Sequence, residues 1–191
     1  MARLKTYDET LRHWQSRLNL VSPSSLADSW RRHFLDSAQL FPLIPPGSAP
    51  VIDLGAGAGF PGLVLAILGI APVVLIESNA RKCSFLREVA RATATQVTIF
   101  TGRVEDFRAP APARAVTARA LASLDKLLAL AAPLVAADGV CLFLKGAAVE
   151  EELTIAVKKW HMNVERIRSL SDDQATILKI RDLQTKGLPQ P

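Results

Sequence analysis

The sequence has little cysteine. Cys83 and Cys141 are the two in 191 residues, far apart and each in apolar surroundings, so neither a disulfide framework nor a cysteine metal site has a pattern to rest on. They read as buried, reduced thiols. Long hydrophobic runs are missing too. The longest, 60–70, is too short and too broken by glycine to span a bilayer. The start, "MARLKTYDET", has no apolar segment of the signal-peptide kind. These absences point to a cytoplasmic protein with no membrane partner. No internal repeat or long low-complexity tract is visible, and the one biased patch, "RAPAPAR" at 108–114, reads as a stiff loop.

What is there is core material and positive charge. Apolar residues make up 49% of the chain and charged residues 21%, enough apolar content for one domain and too little charge for wholesale disorder. Twenty-three Lys and Arg against 18 Asp and Glu leave +5 at pH 7. That balance favours anionic partners, nucleic acid first.

Residues 3–18 set Leu4, Tyr7, Leu11, Trp14 and Leu18 at spacings of three and four, an amphipathic helix with Lys5, Arg12 and Arg17 on its other face. A second helix is predicted after "SPSS", with Ser25 and Asp28 spaced as a capping box. Its apolar side is Leu26, Trp30, Phe34 or Leu35, Ala38 and Phe41, and Asp36 stands one turn from Arg32, close enough to pair. Trp14, Trp30 and Trp160 read as core anchors. "PLIPPGSAP" closes this helical extension, residues 1–46.

Over 50–185 the texture changes. Strands are predicted at 51–54, 73–77, 97–101, 115–118 and 140–145, with helices at 60–68, 80–93 and 123–136. Such alternation implies parallel strands with crossover helices on both faces. A helix at 150–160 and two strands, 163–170 and 175–181, flanking "SDDQ" as a hairpin, complete a single α/β domain with one antiparallel strand near its end.

"VIDLGAGAGFPGLVLAIL", 51–68, marks the candidate site. Ligands in open α/β sheets bind beyond the carboxyl ends of the strands, and glycine there lets the backbone turn sharply against a ligand. Two registers fit. Gly57, Gly59 and Gly62 satisfy the dinucleotide pattern G-x-G-x-x-G. Gly55, Gly57 and Gly59, behind Asp53, satisfy the G-x-G-x-G turn of S-adenosylmethionine enzymes. Both expect an acid ending the second strand to accept from ribose hydroxyls, and Glu77 is there.

The flanks favour S-adenosylmethionine. The dinucleotide register starts two residues beyond the strand, and Pro61 would stand where a backbone N–H should face pyrophosphate. "GRVEDF" adds Glu105 and Asp106, which can accept from an adenine amine.

"NLVSPSSLADSWRRHFLDS", "DLGAGAGFPGLVLAI", "ESNARKCSFLREV", "TGRVEDF", "VTARALASLDKLL" and "DGVCLFLKG" follow one another in this order. From about Asn19 to Lys145 they resemble the RsmG (GidB-like) family, bacterial methyltransferases of small-subunit ribosomal RNA, with a weaker echo at "ILKIRDL". The resemblance implies a Rossmann-like class I S-adenosylmethionine-dependent methyltransferase sheet. It implies N7 methylation of one guanine in the decoding-region loop of 16S rRNA, on the RNA or the 30S particle. By the same resemblance Gly55 and Phe60 line the cofactor site, Val104 and Glu105 hold the adenine side, and Arg119 contacts the cofactor or the active pocket. Glu77 stands where many relatives carry aspartate.

The chemistry is compatible. The [N/D]-P-P-[F/Y] motif of amine methylases is absent at 115–122, and neither cysteine suits a cytosine C5 nucleophile. Guanine N7 has a free lone pair and no proton, so positioning alone, worth up to about 7–11 kcal/mol, can serve. Arg119 and Lys145 follow strands four and five at the pocket end, where either can donate to guanine O6 or to phosphate. Arg31, Arg32 and His33 on the second helix are further candidates for RNA contact. Nothing demands more than a monomer. A nicotinamide oxidoreductase, a non-catalytic RNA-binding protein and a methyltransferase of protein or small molecules are the competing classes.

Overall fold

The computed structural model describes residues 1–187. Seven strands form one sheet in the order β3-β2-β1-β4-β5-β7-β6. They are β1 (Val51–Leu54), β2 (Val73–Glu77), β3 (Thr98–Thr101), β4 (Ala113–Arg119), β5 (Val135–Lys145), β6 (Trp160–Arg168) and β7 (Thr176–Thr185). The first five are parallel, whereas β7 runs antiparallel to both β5 and β6. Strand order reverses between β1 and β4, which opens a crevice beyond their carboxyl ends. All four residues of β1 are buried, as expected of a central parallel strand covered on both faces.

The helices are α1 (Ala2–Gln15), α2 (Pro23–Ala27), α3 (Asp36–Ala38), α4 (Gly62–Ile67), α5 (Ala80–Ala92), α6 (Leu124–Ala131) and α7 (Val149–Ala156). Leu4, Tyr7, Leu11 and Phe34 of the N-terminal segment share one apolar cluster with α4 and α5. The opposite cluster joins α6 and α7 to the hairpin. The N-terminal extension thus covers one face of the sheet.

The predicted second helix is three pieces. Ser22, not Ser25, caps α2: its Oγ accepts from the Ser25 N–H, and Pro23 stands at the first turn, where its missing N–H costs nothing. Trp30–Leu35 then forms a wider π-helical turn leading into α3. Trp30 is 37% exposed and leans on Phe34, so it is not a core anchor. Trp160 is buried, with Nε1–H donating to Asp125. Elsewhere the boundaries shift. α4 begins at Gly62 because 55–61 is spent on the turn. α6 ends at Ala131, and α7 ends at Ala156, so Trp160 opens β6. Both cysteines are free and buried.

Candidate active site

Asp53 anchors the glycine turn. It is wholly buried in β1, with Oδ1 accepting from Thr117 Oγ1 at 2.7 Å and Oδ2 from the Gly62 N–H at 3.0 Å. One carboxyl therefore ties β1, β4 and the start of α4 together. Burial pushes its pKa up to about 7 against the lowering pull of those hydrogen bonds and of Arg119. Reading along the sequence gives Asp53 only as a marker ahead of the glycines; its partner Thr117 lies 64 residues away.

Glu77 is fixed by two backbone donors. Oε1 accepts from the Asn79 N–H at 2.7 Å and Oε2 from the Gly57 N–H at 2.8 Å. Each oxygen retains a lone pair, and Glu77 borders a cavity of about 970 Å³. Gly55, Gly57, Phe60, Val104, Glu105 and Arg119 line the same cavity.

Gly59 departs from the expectation. Its φ is +90°, and a Cβ there would meet Tyr7 Oη at 2.5 Å and Leu63 Cβ at 3.0 Å. It faces α1 behind the turn, not the cavity. Tyr7 is the partner that sequence reading missed: it donates to the Ala58 carbonyl and stacks on Phe60 with centroids 5.2 Å apart. Its helical spacing signals a core residue and nothing more.

Phe60 is a platform. His33 stacks on it at 4.9 Å, and the Arg119 guanidinium carbon stands 5.0 Å from its ring centroid. Arg119 Nη1 donates to the Arg32 carbonyl at 3.1 Å and to His33 Nδ1 at 2.9 Å, and lies 3.4 Å from Asp36 Oδ2. Burial lowers the Arg119 pKa while Asp36 raises it. Because His33 Nδ1 accepts from Arg119, its Nε2 carries the proton and donates to Ser25 Oγ at 3.0 Å. Both ring nitrogens are occupied, so His33 is not a free base.

Burial, then the charges of Arg119 and Arg32, push the His33 pKa down to about 4. The unfolded imidazole takes a proton near 6.5. Its contribution to stability is therefore intact above about pH 6.5 and declines as pH falls toward about 4. Asp53 runs oppositely, losing its contribution as pH rises through about 7. His33→Gln is expected to destabilise the fold at neutral pH, and the gap to the unaltered chain should narrow as pH falls through that window. Urea midpoints across the window test this; a constant gap counts against it.

A second cavity of about 390 Å³ shares Leu20, Arg119 and Ala120 with the first. Ala120 holds φ +51° at the junction, an uncommon left-handed conformation for a residue with a Cβ. Arg32, His33, Asp36, Lys145, Ser171 and Asp172 stand around this second cavity. The basic residues expected to meet RNA are mostly engaged within the protein. Arg31 binds Asp28 at 2.6 Å and the Ser171 carbonyl at 2.7 Å. Arg32 pairs with Asp172 and not with Asp36, because it points across to the hairpin turn. Lys145 is buried, 2.8 Å from Glu152 and donating to the Ala122 carbonyl.

Residues 1–178 match the family described as GidB, rRNA small subunit methyltransferase G. The chain belongs to the GidB family. It is 51% identical to the ribosomal RNA small subunit methyltransferase G of Paramagnetospirillum magneticum, over all of this chain and 92% of that one. It is 50% identical to the protein of the same name from Rhodospirillum centenum, over 97% of this chain and 86% of that one.

Solved structures share the fold at low identity. A ribosomal protein L11 methylase from Lactobacillus delbrueckii subsp. bulgaricus superposes with TM-score 0.61 and 18% identity, over 75% of this chain and 77% of that one. A TehB-like SAM-dependent methyltransferase from Corynebacterium glutamicum gives 0.60 and 15%, over 83% and 96%. This GidB protein is thus a methyltransferase, and its cofactor is S-adenosylmethionine; the dinucleotide register is set aside. The residues present fit that cofactor. Glu77 has lone pairs to spare, and a Cβ on Gly57 would have only Gly55 O, at 3.7 Å, within 4 Å, so the turn leaves open space. Among the described residues no helix is long and apolar enough to cross a membrane, and no cluster could hold a metal ion.

Proposed function

We propose that this chain methylates N7 of guanine 527 of 16S rRNA, acting in the cytoplasm as a monomeric single domain on the RNA or the 30S particle. The observation that carries the reading is the meeting of two cavities at Arg119. One is large enough for a nucleoside cofactor; the other is sized for a base.

S-adenosylmethionine, when bound, supplies an electrophilic methyl group. Gly55, Gly57 and Phe60 shape its cavity, Glu77 accepts from the ribose hydroxyls, and Val104 and Glu105 take the adenine side. Arg119 orients the base at the junction, and Lys145, held by Glu152, lines the second cavity. N7 attacks with a lone pair and sheds no proton, so a site in which His33 is fully occupied is adequate. The phosphate contacts pass from Arg31 and Arg32 to Lys82, Arg103 and Lys126. These border the first cavity and form no ion pair among the described residues.

The test uses methyl-labelled cofactor and 30S subunits from a strain lacking the enzyme. A single N7-methylguanine at that site is expected, with RNA affinity falling steeply as salt rises and counterions are released. Label elsewhere, or affinity indifferent to salt, overturns the reading.

A further inference from the structure

Asp36 lies buried in the wall of the second cavity. Its Oδ1 is fully used, accepting from Ser171 Oγ and from Gln39 Nε2 at 3.0 Å. Its Oδ2 has one contact among the described residues, the 3.4 Å approach of Arg119 Nη1. The two Nη1 hydrogens already serve shorter contacts, to the Arg32 carbonyl and His33 Nδ1, so this approach is chiefly an ion pair and Oδ2 keeps room for the roughly two hydrogen bonds that a carboxylate oxygen accepts. The Ser171 and Gln39 contacts come from opposite ends of the chain and fix the carboxylate plane.

We propose that Asp36 selects guanine, with Oδ2 accepting from N1–H and the 2-amino group of the target base while Arg119 donates to O6. This rests on the guanine-N7 reading and deepens it. Guanine presents O6, N1–H and the amine side by side: one acceptor, then two donors. Arg119 and Asp36, adjacent at 3.4 Å, present a donor and then an acceptor, which is the complement. Adenine presents the reverse, a 6-amino donor against the guanidinium and a bare N1 against the carboxylate. Sites built to hydrogen-bond a substrate N–H reject analogues lacking it strongly, because their buried groups are left unpaired. The pose also orients the reaction. O6 lies between N1 and N7 on the purine edge. With N1 at Asp36 and O6 at Arg119, N7 is directed past Arg119 toward the first cavity, which Arg119 also lines.

Inosine, which keeps O6, N1–H and N7 but lacks the 2-amino group, isolates the contact. Reconstituted 30S subunits carrying guanine or inosine at the target position are methylated by the unaltered enzyme and by Asp36→Asn. The unaltered enzyme should disfavour inosine by at least about tenfold in kcat/KM. In Asp36→Asn the guanine rate should fall and the preference shrink below about threefold, with cofactor affinity kept.

Equal use of guanine and inosine by the unaltered enzyme overturns the proposal, even if Asp36→Asn fails to fold. So does an inosine penalty unchanged in Asp36→Asn while guanine is still methylated, which leaves the N7 reading standing. If the unaltered enzyme places no methyl on guanine N7, the reading itself fails, and the assignment of Asp36 with it.

Discussion

Arg119→Ala is expected to lower methyl transfer at least about a hundredfold, about 2.7 kcal/mol of transition-state stabilisation. One guanidinium serves His33, the Arg32 carbonyl, Asp36 and the Phe60 ring. Its removal strips a buried carboxylate of its cation, and breaking such a pair from one side is far costlier than the pair's own net worth. It also removes the one charged residue that, among the described residues, lines both cavities. Arg119→Lys keeps the charge but not the planar fork, so it should recover only part of the rate. Single-turnover rates and calorimetric cofactor affinity, both measured well below the melting temperature, separate the roles. A rate loss with cofactor affinity kept assigns Arg119 to the base. Parallel losses assign it to the cofactor. Survival of both quantities sinks the site as proposed.

Gly57→Val should abolish cofactor binding, by at least about a hundredfold in Kd, while leaving a folded protein. Gly57 has φ +57° and its N–H holds Glu77 at 2.8 Å. A left-handed residue with a side chain costs roughly 1–2 kcal/mol, and a Cβ there would have only Gly55 O, at 3.7 Å, within 4 Å. On the proposed placement of the cofactor, the side chain would stand in its space and loosen the carboxylate that would take the ribose. Gly59→Val is the contrast. Its Cβ would strike Tyr7 Oη at 2.5 Å, so its loss is in melting temperature first. If the two variants exchange behaviours, the placement of the cofactor against this turn is wrong.

The alternation of strand and helix was legible because periodicity and Gly-Pro punctuation are local signals. The parallel pairing of the strands follows from that alternation, whereas the order of the sheet and its reversal at β1 and β4 are set by tertiary packing that no local signal carries. The glycine turn was legible as a local signal, as was the acid at Glu77. What escaped depended on distant partners. Asp53 acquires its meaning from Thr117, Tyr7 from Ala58 and Gly59, and Asp36 from Arg119 and Ser171. Arg32 looks paired with Asp36 on a helical wheel, but the π turn at Trp30–Leu35 and the hairpin redirect it to Asp172. The spacing of two in the glycine pattern cannot distinguish Gly59, which packs, from Gly57, which borders the cavity.

The clasp between Arg31, Arg32 and Gln39 and the hairpin turn at Ser169–Asp172 joins residues 130 to 140 positions apart. Pairings so remote are the slow ones in folding, because the whole intervening loop must close first. A ribosome making this chain releases the glycine turn and the walls of the larger cavity long before the hairpin. The walls of the first cavity can thus come together early, whereas the second cavity, lined by Ser171, Asp172 and Ala175, must wait for the last strands. On the assignment proposed for Asp36, the contacts that would select the substrate are the last to form as the chain is synthesised.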